Sequence, residues 1–215
     1  MKPLNDCLAH YMDRKKSDPT SPTWLLFHDT DEYLFPVNTS LAIPQALQAY
    51  NNTCCVLAKR VQYGSAGYRI TPRGLTLENF LMHAPIKSSK ENRLPKVVVN
   101  LNPSDPEVDA IKSPLPSMHG VNKKECKCDQ ASIKELRINH YLGSTGDFVD
   151  KTRRYWQENH SIDKVEKYLE DRDVNIVMSD AITHWACATR EILARVIGGL
   201  DLDTGERRQT KNVSP

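Results

Sequence analysis

The chain has 215 residues, 39% of them hydrophobic, which suffices for one ordinary domain with a packed core and an appendage. Its 29 Lys and Arg nearly balance 27 Asp and Glu, and a net charge of +2 excludes a long-range field that would gather nucleic acid or an anionic membrane surface. No run reaches the roughly 18 to 20 apolar residues of a bilayer span, and the first residues lack the order of a signal peptide, so the chain as written reads as soluble.

Residues Asn5 to Arg14 have helical spacing with Leu8, Tyr11 and Met12 on the apolar side, and Lys15 to Thr23, with Pro19 and Pro22, reads as a polar loop. Trp24-Leu25-Leu26-Phe27 has the length and residue types of a buried strand. The acidic cluster His28-Asp29-Thr30-Asp31-Glu32 follows at its carboxyl end, where open α/β sheets place ligands. Leu41 to Tyr50 suits a short helix with Pro44 in its first turn, and Cys54 to Tyr63 a second strand. Gly64-Ser65-Ala66-Gly67 reads as a flexible loop, and Lys96 to Leu101 as a third strand built on Val97-Val98-Val99.

Asn102 to Asp129 is a long loop rich in proline and polar residues, and Leu136 to Tyr141 a fourth strand. Helices are expected over Phe148 to Trp156, from Ser161 or Asp163 through Glu170, and from about Ser179 to Val196. The last puts Ile182, Trp185, Ile192, Leu193 and Val196 on one stripe and stops at Gly198-Gly199. The polar residues 201–215 are expected to be disordered.

Four N-glycan acceptor patterns, at Asn38, Asn51, Asn159 and Asn212, exceed the one or two that chance would give, about, and point to the secretory pathway. The six cysteines permit disulfides, with 15 possible pairings. Cys126-Lys127-Cys128 is too tightly spaced for a zinc knuckle, and adjacent surface cysteines are the plainer reading.

In an extended segment, Asp29 and Asp31 point to the same side, and two hard oxygen ligands on one face make half a site for Mg²⁺ or Mn²⁺. A calcium EF-hand is excluded because Leu34 stands at the obligatory glycine and Ser40 at the closing glutamate. A haloacid-dehalogenase-like phosphatase also places Asp-x-Asp after an apolar strand. That resemblance wants a small residue where Tyr33 stands and a later acidic pair that Ser179-Asp180 does not supply.

Asn5-Asp6-Cys7-Leu8 with the run from Trp24 to Pro36 resembles glycosyltransferase family 92 in its helix, strand and Asp-x-Asp-Glu-aromatic block. Tyr63-Gly64-Ser65-Ala66-Gly67, Pro72-Arg73-Gly74-Leu75 and Glu78-Asn79-Phe80 are similar to its aromatic-Gly-Ser-x-Gly loop and the segment after it. Lys96 to Asn100 with His119, and Arg137 to Tyr141 with Phe148, Lys151 and Arg154, resemble its last two blocks. The resemblance implies an α/β fold of GT-A type, here partial, with a mixed sheet, flanking helices and a helical C-terminal tail. It also implies a nucleotide-sugar donor, UDP-galactose being the best known, a glycan or glycoprotein acceptor, a Mn²⁺ or Mg²⁺ ion, inversion at the anomeric carbon, and a Golgi membrane setting.

By that analogy Asp29, Asp31 and His140 hold the metal, and the general base is Glu78 or Glu32. Gly64 and Ser65 bind substrate, and Arg73, Lys96 and Lys151 pair with phosphates. The family has a lysine where Leu142-Gly143-Ser144 stands. In the family a nucleotide-binding strand-helix unit lies upstream, whereas about 23 residues precede Trp24 here, so a truncated domain is expected over residues 1–155, then a helical extension over 156–200. An inactive remnant or a carbohydrate-binding module is the alternative expectation.

Overall fold

A computed structural model describes residues 2–18, 20–21, 23–86, 92, 94–102, 115–120, 126, 128–156, 162–179, 183 and 186–197. In chain order the elements are α1 (Lys2–Ser17), β1 (Trp24–Leu26), β2 (Glu32–Pro36), α2 (Ile43–Leu47) with a 3-10 turn (Gln48–Tyr50), β3 (Cys55–Tyr63), α3 (Thr76–Asn79), β4 (Met82–His83), β5 (Lys96–Asn100), β6 (Asp129–Gln130), β7 (Leu136–Tyr141), α4 (Thr145–Trp156), α5 (Ile162–Arg172), β8 (Val177–Met178) and α6 (Ala186–Ile197). The class is mixed α/β, with a mixed sheet and flanking helices. No described helix is long and apolar enough to cross a membrane. The chain divides into two compact units, residues 1–61 with 86–140, and residues 62–85 with 141–215.

In the first unit, β5 lies between β1 and β3, antiparallel to both, with Trp24 opposite Asn100 and Ala58 opposite Lys96. β6 runs parallel to β3, and β2 is antiparallel to β7 from Glu32 opposite His140 to Pro36 opposite Leu136. Alternate residues of β5 feed two apolar clusters, as the period of two requires. Val97 and Val99 join Cys54, Cys55, Leu101 and Leu115 beneath α1, which contributes Leu4, Leu8, Tyr11 and Met12 at helical spacing. Val98 joins Val56, Ala58, Leu136 and Ile138 on the other side, covered by Trp24, Leu26, Leu34 and Leu47.

Several sequence expectations change. α1 extends through Lys15 to Ser17, because basic residues suit the negative end of a helix dipole and Lys15 donates to the Ser21 carbonyl at 2.7 Å. β1 is half-buried rather than buried, since it ends the strand order. β2, with Glu32 and Phe35 buried, is a strand that the acidic cluster concealed. The cysteines at 54, 55 and 126 are buried, not superficial, in the bridges Cys54–Cys126 and Cys55–Cys128.

In the second unit, the end of β3 pairs Tyr63 with His83 of β4, and β4 pairs with the short strand β8. Tyr63 stacks on Tyr141, ring centroids 4.7 Å apart, and Phe148 on Tyr168 at 6.0 Å. α4 begins at Thr145, earlier than Phe148, because Ser144 and Asp147 form a capping box. The Ser144 hydroxyl accepts from Asp147 N at 3.2 Å and the Asp147 carboxylate from Ser144 N at 3.3 Å.

Ser179 N donates instead to the Leu81 carbonyl at 2.8 Å, so the last helix starts at Ala186, and Ile192 on it is exposed. The sequence expectations for Asn159, Ile182, Trp185, Gly198-Gly199, Asn212, the tail and most of the 102–129 loop lie outside the described residues.

Candidate functional site

Three stretches of the first unit meet at one end of its strands. β1 ends at Leu26 opposite Val98, which brings the next residues alongside Lys96, two positions before Val98 on β5. β2 opens with Glu32 directly opposite His140, and opposed residues in an antiparallel pair share a face. The connecting residues are not extended as expected. Glu32 N donates to the Asp29 carbonyl at 3.1 Å and Asp29 N to Glu32 Oε2 at 3.0 Å, closing a four-residue turn across Thr30 and Asp31.

Lys96 lies inside this turn, wholly buried, with Nζ 2.8 Å from Glu32 Oε2 and 3.0 Å from Asp29 Oδ2. It also reaches the Met118 sulfur at 2.7 Å. A buried ammonium is tolerable only when paired, and here two carboxylates share it. Glu32 is 1% exposed and its second oxygen, Oε1, has no hydrogen-bond partner among the described residues. Asp31 Oδ1 is 3.6 Å from His140 Nε2, a separation longer than a hydrogen bond.

Three carboxylates against one ammonium leave the turn with two negative charges when His140 is neutral, the complement of a divalent cation. Carboxylate oxygen with imidazole nitrogen is a donor set suited to Mn²⁺ and acceptable to Mg²⁺. Asp31 and His140 are the two groups of this set that face each other, but among the described residues neither Asp29 nor Glu32 converges with them to within 4.8 Å. Asp29 fits less directly, because Lys96 already engages it, although its side chain is 56% exposed. Among the described residues, the group whose ligand atoms all lie within 4.8 Å of one another is Cys54, Cys55 and Cys126, and these cysteines are in disulfides.

A pocket of about 370 Å³ opens beside the turn, lined by Trp24, Leu26, His28, Glu32, Tyr33, Leu34, Ile43, Leu47 and Val98.

The remaining candidates belong to the second unit. The Gly64–Gly67 loop is tied down rather than flexible: Asp173 accepts from Ser65 N at 2.6 Å and from Ser65 Oγ at 2.7 Å, and Asn175 Oδ1 from Ala66 N at 2.8 Å. Ala66 and Gly67 have φ of 52° and 83°, a turn whose backbone glycine accommodates most readily. A Cβ at Gly64 would press on the side-chain ends of Asp173 and Asn175, which would have to shift to admit it.

Glu78 is gripped by Arg190 at 2.8 and 2.6 Å, and that hydrogen bonding holds its carboxyl below the ordinary range. Arg73 and Lys151 are exposed. Sequence reasoning missed Arg190, Asp173 and Asn175, which sit in segments without a recognisable pattern.

The sequence matches no model of a known protein family and no curated protein.

Proposed function

We propose that this chain is the metal- and acceptor-binding part of a GT-A-type, metal-dependent inverting glycosyltransferase that moves a hexose from a UDP-sugar to a glycan acceptor. The observation that carries the reading is the turn at Asp29–Glu32, where Asp31 and His140 lie 3.6 Å apart beside the Lys96-bound pair Asp29 and Glu32. Resemblance of the blocks around these residues to glycosyltransferase family 92 supports the same reading.

Asp31 and His140 would hold Mn²⁺ or Mg²⁺, with Asp29 joining by exchange with Lys96. The bound ion supplies Lewis-acid neutralisation of the leaving diphosphate. Glu32, buried and locked to Lys96 and the Asp29 amide, positions the turn and does not reach out to an acceptor. Glu78, shared with Arg190, takes up a proton less readily than an ordinary glutamate and is a weak base as it stands. The acceptor patterns at Asn38, which is exposed, and Asn51 favour a protein of the secretory pathway, with Golgi residence part of the proposal.

Electron paramagnetic resonance of Mn²⁺, with and without UDP, tests the assignment. Asp31→Asn and His140→Ala are each expected to weaken Mn²⁺ binding about tenfold or more. Unchanged Mn²⁺ affinity in both variants sinks the metal site. One observation favours a non-catalytic carbohydrate-binding module: Lys96 already engages two of the three carboxylates. Turnover of a UDP-hexose by the chain would eliminate that second reading.

A further inference from the structure

The bridged sulfurs of the first unit form one cluster rather than two separate links. Sγ of Cys54, Cys55 and Cys126 lie within 4.8 Å of one another, and Cys128 is bonded to Cys55. Across the two bridges, Cys55 Sγ stands 3.2 Å from Cys126 Sγ and 3.9 Å from Cys54 Sγ. Both sulfurs of the Cys54–Cys126 bridge are therefore neighbours of Cys55. Access from solvent is unequal. Cys54, Cys55 and Cys126 are 3%, 0% and 6% exposed, whereas Cys128 is half-buried. A disulfide is opened by a thiolate that reaches one of its sulfurs, so a thiol arriving from solvent meets Cys128 first.

We propose that Cys128 is a modification site for a small solvent thiol, and that opening its bridge gives the buried sulfurs a third pairing, Cys55–Cys126. The incoming thiolate bonds to Cys128 Sγ and breaks the Cys55–Cys128 bond, which leaves Cys55 as a thiolate. Cys55, freed to turn about its side-chain bond into line, attacks Cys126 Sγ and breaks the Cys54–Cys126 bond. Cys54 departs as a thiolate and takes up the proton that the incoming thiol released. Each step makes one disulfide and breaks one, so no oxidant or reductant is consumed. A Cys55 remote from the other bridge would only reclose on Cys128; the contact with Cys126 supplies the alternative. The cap on Cys128 is reversible by the same chemistry.

Incubation of the folded full chain with equimolar glutathione tests this, followed by an acid quench, capping of free thiols with N-ethylmaleimide in denaturant, and fragmentation mass spectrometry. Trypsin cuts after Lys127 and so separates Cys126 from Cys128, and fragmentation tells Cys54 from Cys55. Of these four cysteines, glutathione is expected on Cys128 alone and maleimide on Cys54, with a Cys55–Cys126 link that the untreated chain lacks. Cys128→Ser, which deprives Cys55 of its partner, is expected to carry maleimide on Cys54 as well as on Cys55 with no thiol added.

Glutathione on Cys54 or Cys126, or no adduct until urea unfolds the chain, overturns the proposal, as does maleimide confined to Cys55 in a folded Cys128→Ser variant. Should that variant fail to fold, the wild-type reaction decides alone: a Cys128 adduct with maleimide on Cys55 only overturns the third pairing.

Discussion

Lys96 has no exposed surface and two carboxylates within 3.0 Å, so its charge is an internal component of the acidic turn. Removing one partner of a buried pair strands the other, at a cost of roughly 3–5 kcal/mol. Lys96→Met is therefore expected to destabilise the chain by about that much in urea unfolding, and Lys96→Met combined with Glu32→Leu by clearly less. Equal losses in the two variants would show that Glu32 does not depend on Lys96. At this scale the sequence marks Asp29 and Asp31 by residue type and spacing, whereas His140 stands out only through the resemblance of the block around it. The meeting of Lys96 with Asp29 and Glu32 depends on the register of β5 against β1 and on the Asp29–Glu32 turn, which no local spacing reveals.

Elements of the second unit are held by reciprocal side-chain contacts. The α3 residue Glu78 meets Arg190 of α6, and Asp147 in the first turn of α4 accepts from Thr71 and Ser144. Both carboxyls are held below their ordinary values, Glu78 chiefly by Arg190 and Asp147 chiefly by Thr71 and then Ser144. A lowered folded-state pKa adds stability that is fully present above the unfolded value and is lost as pH falls through the folded one.

Melting is thus expected to be insensitive to these groups above the ordinary glutamate value of 4.5 and to fall below it. Glu78→Gln should flatten the acid limb in scanning calorimetry; an unchanged limb would remove the pair from the account. Elements whose signals are local were legible: β3, β5 and β7 stand within a residue of their expected bounds. The tethering of the Gly64–Gly67 loop was not, because Asp173 and Asn175 lie more than a hundred residues away.

For the whole molecule, the two disulfides of the first unit each join residues 72 or 73 apart, a closure worth about 4 kcal/mol by chain entropy. The bridges interlace, with their ends one and two residues apart in the chain, so once one is shut the other closes a loop of only a few residues. Cys54→Ala with Cys126→Ala, or Cys55→Ala with Cys128→Ala, should each cost much less than all four together, read by denaturant unfolding. Additive losses would contradict this. The sequence by itself determined the strand cores, the first helix, the even cysteine count and the acidic character of the turn, because apolar period and residue type act over a few positions. Only the tertiary structure decided which cysteines pair, that Lys96 lies between Asp29 and Glu32, and that Asp31 faces His140. These depend on strand register and on contacts across scores of residues, where the energy of a pairing is settled by what the packed core leaves room for.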